Sequence, residues 1–68
     1  MVFDIYGRFE LEVVLKNNRW VAFRRSNGLL APYRDLVFPV GIRESELLNF
    51  VDDFFHEYAR EGQYVRVV

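Results

Sequence analysis

The 68-residue chain has no cysteine. Disulfide staples and thiolate metal sites are thereby excluded, and hydrophobic burial must hold a domain close to the lower size limit for unassisted folding. A single histidine, His56, excludes the His-Glu-x-x-His zinc signature. No apolar run approaches the ~20 residues of a membrane helix. The opening Met1-Val2-Phe3-Asp4 places an acid where a basic leader would stand, so a cytoplasmic protein without a membrane partner is expected. No Gly-rich phosphate loop follows a strand pattern, no Gly-x-Ser-x-Gly occurs, and Ser26 and Ser45 have turn and cap roles available. Neither catalysis nor a bound metal or cofactor is therefore expected. Net charge is only −1, with seven Arg and Lys against four acids in residues 1–43 and two against six in residues 44–68. A general nucleic-acid binder would show an overall basic excess.

Aromatic side chains, by contrast, are plentiful: seven Phe, four Tyr and one Trp. Four of them fall in Glu44–Glu61, the longest stretch with a single periodicity. At about 100° per residue, Leu47, Leu48, Phe50, Val51, Phe54, Phe55, Tyr58 and Ala59 share one half-circle, and Glu46, Asn49, Asp52, Asp53, His56, Glu57, Arg60 and Glu61 the other. This predicts an amphipathic helix over 44–61, acidic at its start, capped by Ser45 and ended by Gly62. Its wide apolar half calls for a sheet beneath it, with Phe54 at the centre of the contact.

Strand patterns precede the helix. From Phe3 to Leu15 every odd position except Gly7 is apolar. The unbroken phase predicts one long strand bent at Gly7, the alternative being a hairpin turning at Gly7–Arg8. After Lys16-Asn17-Asn18-Arg19 the pattern resumes at Trp20–Arg25. A two-residue loop would set Leu11 opposite Arg24 and Phe23 opposite Glu12, so a three-residue loop pairing Val13 with Phe23 and Glu12 with Arg24 is predicted. Ser26-Asn27-Gly28 marks a reversal. Leu29–Tyr33, broken by Pro32, is expected to be irregular, Asp35–Val40 to form a third strand, and Tyr64–Val68 a short last one. The expectation is one α+β domain over residues 1–68: a three- or four-stranded, mainly antiparallel sheet with one helix across one face.

Several phrases occur together: Phe3-x-x-x-Gly7-Arg8-Phe9, Arg19-Trp20-Val21-Ala22-Phe23, Asp35-Leu36-Val37-Phe38-Pro39 and Asp52-Asp53-x-Phe55-His56-Glu57-x-Ala59-Arg60-x-Gly62. In these the chain resembles a family of short uncharacterised bacterial proteins of similar length. The resemblance spans nearly the whole chain and implies a stand-alone bacterial protein, with no activity, cofactor or catalytic residue attached. The chain is also similar, more distantly, to small antitoxin domains that neutralise an RNase toxin. It lacks their Gly-Cys segment between strand and helix and has no room for an added DNA-binding region.

Four sets of residues are candidates for function. His56, one turn after Asp52 and beside Asp53 and Glu57, could hold a metal or move a proton, but it sits mid-way along the solvated helix face, where no cleft excludes water. Arg24, Arg25 and Tyr33 with Trp20 could form a stacking and phosphate surface, the runner-up reading as a small RNA- or DNA-binding protein. Glu46, Asp53, Glu57 and Glu61 form an acidic ridge that a basic protein partner could recognise. Finally, the three-residue loop puts Tyr6, Val14, Trp20 and Ala22 on the sheet face away from the helix. An uncovered aromatic face favours a homodimer, and a non-enzymatic protein-interaction module is the leading expectation.

Overall fold

The computed structural model describes all of residues 1–68. Five strands, β1 (Val2–Ile5), β2 (Phe9–Lys16), β3 (Arg19–Ser26), β4 (Leu29–Pro32) and β5 (Val65–Val67), form one sheet in the order β4-β3-β2-β1-β5, with every neighbouring pair antiparallel. One α-helix, α1 (Leu47–Phe55), lies across one face, extended by single 3₁₀ turns at Glu44–Glu46 and His56–Tyr58. The fold is α+β with an antiparallel sheet, as expected, and has five strands where three or four were expected. No helix is long and apolar enough to cross a membrane.

Turn chemistry sets the register, and it corrects two expectations. The long bent strand is instead a hairpin, with Ile5 opposite Phe9 and Phe3 opposite Leu11 across a three-residue loop. Tyr6 and Gly7 carry the positive φ angles of 56° and 71° that close it. An odd-length loop pairs odd residues with odd, so the apolar phase runs unbroken through a reversal of direction. The β2–β3 loop has two residues rather than three. Asn17 and Asn18 both adopt positive φ (51° and 62°), the conformation of a type I′ turn, whose twist suits a two-residue hairpin. Leu11 therefore does face Arg24, and Glu12 faces Phe23. The mismatch is relieved by Arg24, whose guanidinium lies 4.4 Å from the Phe9 ring centroid while its end stays exposed.

The segment expected to be irregular, Leu29–Pro32, is β4, joined to β3 by an Asn27–Gly28 turn with positive φ at both residues. Tyr33 N–H donates to the Ala22 carbonyl, so odd-numbered residues here aim their main-chain groups at β3. Pro32 therefore lacks only an N–H that would have pointed off the sheet edge, where proline is tolerated. Asp35–Val40, expected as a strand, has no ladder partner. It runs alongside the helix instead, burying Leu36 and Phe38 and exposing Val37, and the Phe38 ring packs at 5.2 Å, tilted by 39°, against Phe50.

The helix is half as long as the periodicity suggests. Leu47, Val51 and Phe55, four residues apart, form its buried ridge against Phe3, Ile5, Leu11, Val13 and Val65. Phe54 is not at the centre: it is 38% exposed against 3% for Phe55, and packs at the rim against Tyr33. Ser45 does not cap. The chain enters through Arg43, whose N–H donates to Glu46 Oε1 at 3.0 Å while Glu46 N–H donates to the Arg43 carbonyl at 2.9 Å. Ala59 is already extended, so Gly62 (φ 81°) serves the turn into β5 rather than the end of the helix.

Candidate functional site

Because an odd-length loop precedes β2 and an even-length loop follows it, the residues facing the helix are odd in β1 and β2 and even in β3. Of the expected interface residues, this leaves only Val14 on the face away from the helix. Ala22 is 5% exposed and belongs to the core. Trp20 turns to the helix side, where its indole Nε1 donates to the Ile42 carbonyl at 3.1 Å and ties down the loop after Phe38. Tyr6, at 6% exposure, closes the end of the core, and its hydroxyl donates to Asp52 Oδ1 at 3.3 Å. Burial, the Asp52 charge and this hydrogen bond all raise the Tyr6 phenol above 10.0, against a smaller lowering by Arg8.

The open face is built from Val2 and Asp4 of β1, Glu10, Glu12, Val14 and Lys16 of β2, Arg19, Val21, Phe23 and Arg25 of β3, and Leu30 and Pro32 of β4. Val14 pairs with Val21 at its middle, and Phe23 with Pro32 toward the β4 edge. Charge divides it. Asp4, Glu10 and Glu12 occupy the β1–β2 side, while Lys16, Arg19 and Arg25 occupy the β3 side and the β2–β3 turn. Arg25 reaches Glu10 at 3.9 Å and Glu12 at 3.8 Å, and Arg66 of β5 holds Asp4 at 3.2 Å. The expected Glu12–Arg24 pair gives way to Glu12–Arg25, a consequence of the shorter loop. Sequence reasoning assigned Phe23 to the core and so missed it here; the paired asparagines at the turn were the signal that places it.

A groove of about 510 Å³ opens where β4 stops short along β3. Trp20, Phe23, Pro32, Val37 and Phe38 supply apolar walls, and Lys16, Arg19 and Arg34 stand around it with no acid among the lining residues. β4 pairs only with Phe23–Ser26. The even residues of β3 direct their main-chain groups to this side, as the Tyr33–Ala22 bond shows, and no hydrogen bond reaches Trp20 N–H, Trp20 C=O or Ala22 N–H.

The remaining candidates are dispersed. Arg24 and Arg25 lie on opposite faces of β3, Arg24 over Phe9 and Arg25 on the glutamates. Tyr33 is packed among Phe9, Phe54 and Phe55, its phenol raised above 10.0 by burial first and then by Asp35 and Tyr58. Arg24 and Tyr33 thus meet around Phe9 on the helix side, while Arg25 lies on the opposite face, so the three do not share one surface. The acidic ridge is interrupted as well: Glu46 is spent on the helix start, and the α-helix ends at Phe55, so Glu57 and Glu61 do not continue the row that Asp53 begins. His56 is exposed, and no group of three or more His, Asp or Glu side chains converges around it or elsewhere.

The chain belongs to the family described as a domain of unknown function (DUF7661), whose model matches residues 1–68. No curated protein and no solved structure matches it.

Proposed function

We propose that the protein is a non-enzymatic interaction module of the cytoplasm that self-associates through the open face of its sheet, in a bacterium as its sequence resemblance suggests. The observation that carries the reading is that α1 covers one face only, while Val2, Val14, Val21, Phe23, Leu30 and Pro32 remain on the other with no element over them. The divided charge supports a second copy as the occupant. A twofold axis running along the strands between β2 and β3 sets Glu10 of each copy against Arg25 of its partner, and Val14 of each against Val21, in an isologous arrangement.

Sedimentation equilibrium of the wild type beside Val14→Lys tests the proposal. Val14 lies at the centre of the face and outside the core, so the substitution leaves the fold intact and places two ammonium groups near the axis. The wild type is expected to dimerise at micromolar concentration and Val14→Lys to be monomeric. A wild type still monomeric at about 100 μM, corresponding to less than ~5.5 kcal/mol of association free energy, overturns the reading.

A further inference from the structure

We infer that the free edge of β3 at Arg19–Ala22 binds a short extended segment of another protein, apolar with acidic flanks, by adding it to the sheet in line with β4. The inference rests on the reading as an interaction module but not on self-association, since it uses the sheet edge rather than the open face.

Three observations converge on this edge. First, Trp20 N–H, Trp20 C=O and Ala22 N–H lack partners and present alternate donors and acceptors in one row, the pattern that an added strand satisfies. The row covers about 7 Å within an Arg19–Ala22 edge of about 10 Å, the length of three residues of extended chain. Second, the edge has walls. Residues of an added strand would alternate between the helix side, where Trp20 and Phe38 line the groove, and the open side, where Phe23 and Pro32 do. Backbone bonding thus comes with apolar pockets for successive side chains. Third, the charge around the groove is of one sign: Lys16, Arg19 and Arg34 line it without an acid.

That third feature selects the occupant. A second copy pairing edge to edge would bring two sets of these cations together with no carboxylate between them, which like-charge repulsion opposes. A segment with glutamate or aspartate on either side of one or two apolar residues places opposite charges against them. Proline at the end of β4 leaves room for such a segment, because the chain turns away at Tyr33–Arg34 before it can cover the rest of β3.

The test titrates the full-length chain with an acetylated, amidated Glu-Val-Glu-Val-Glu-Val-Glu peptide, followed by Trp20 fluorescence and by the amide resonances of Trp20 and Ala22. The same titration is run with the Lys-Val counterpart, with the Glu-Val peptide N-methylated at alternate residues, and with an oligothymidine. Saturable binding below about 1 mM is expected, with the two amide resonances shifting downfield and exchanging more slowly. Binding is expected to weaken about tenfold or more in Arg34→Glu, in Arg19→Glu and for the N-methylated and lysine peptides. Val14→Lys should bind as the wild type does, which separates this edge from the open face. The inference fails if the Glu-Val peptide does not bind at about 1 mM. Equal binding by the lysine peptide, by the N-methylated peptide or by both charge-reversed variants also overturns it, as does tighter binding of the oligothymidine.

Discussion

The two faces of β2 alternate residue by residue and are put to opposite uses. Leu11 and Val13 point to the helix and are fully buried, while Glu10, Glu12 and Val14 point the other way and are half-exposed. In β3 the same alternation runs with the phase reversed, so that Ala22 is buried and Val21 and Phe23, larger and more apolar, are left outside. Hydrophobicity alone does not decide which side chain enters the core; the number of residues in the preceding turn does. One consequence is that apolar surface is placed outward at no choice of the core. A second is that stability and recognition are carried by adjacent residues on the same strands, which makes them separable by substitution.

The largest contrast is between Val13 and Val14. Val13→Asp forces a carboxyl into a site with no solvent, in the middle of the contact with α1. A cost above ~4 kcal/mol, comparable to the whole stability of a domain this small, should leave it unfolded. Val14→Asp should cost under about 1 kcal/mol. Urea melts of the two variants decide the matter, and comparable losses would show the assignment of faces to be wrong. The helix gives a smaller contrast of the same kind. Phe55→Ala should lose ~3–5 kcal/mol and Phe54→Ala less than that, since Phe54 is 38% exposed at the rim, where its ring makes edge contacts to Tyr33 and Phe55. Equal losses would restore Phe54 to the centre of the contact.

Much of this architecture is legible in the sequence, and what is not has identifiable causes. The helix reads correctly at Leu47, Val51 and Phe55 because a buried stripe requires that spacing. It reads too long because Tyr58 and Ala59 keep the periodicity after the backbone has left it. Ala59 turns extended (φ −76°, ψ 139°) so that the chain can carry Val65 back to Ile5 at the sheet edge, and tertiary closure overrides local propensity there. At Leu36, Val37 and Phe38 the alternation is real, but it records a one-sided extended segment. Periodicity reports burial and cannot report whether a ladder partner exists. Of the open-face candidates, Trp20 and Ala22 are displaced by the β2–β3 loop length, where pair compatibility gives way to a turn whose two asparagines favour positive φ, and Tyr6 by the β1–β2 turn it occupies. Turn geometry prevailed, because Arg24 could reach the Phe9 ring and water at once. The edge groove has no signature of its own in the sequence, being a gap between where β4 ends and where β3 continues.

The smallest expected effect sits at the end of the core, where Tyr6 holds a positive φ that tyrosine rarely adopts and is secured by the burial of its ring and the bond to Asp52. Its phenol is raised above 10.0, so folding favours the protonated form. That stabilising contribution is complete below the unfolded-state value near 10 and is lost as pH rises through the higher folded value, because the unfolded chain releases its proton first. Thermal stability should therefore fall from about pH 10 upward. Tyr6→Phe should cost about 1 kcal/mol or less at neutral pH through the lost hydrogen bond, and should then decline less steeply than the wild type on the alkaline side. A residual slope is expected from Tyr33, whose phenol is also raised. Melting temperatures of both proteins between neutral pH and about pH 11.5, beside an ultraviolet phenolate titration, measure the difference. Parallel alkaline declines would mean that Tyr6 is not held protonated by its burial and by Asp52, and that this end of the core opens to water.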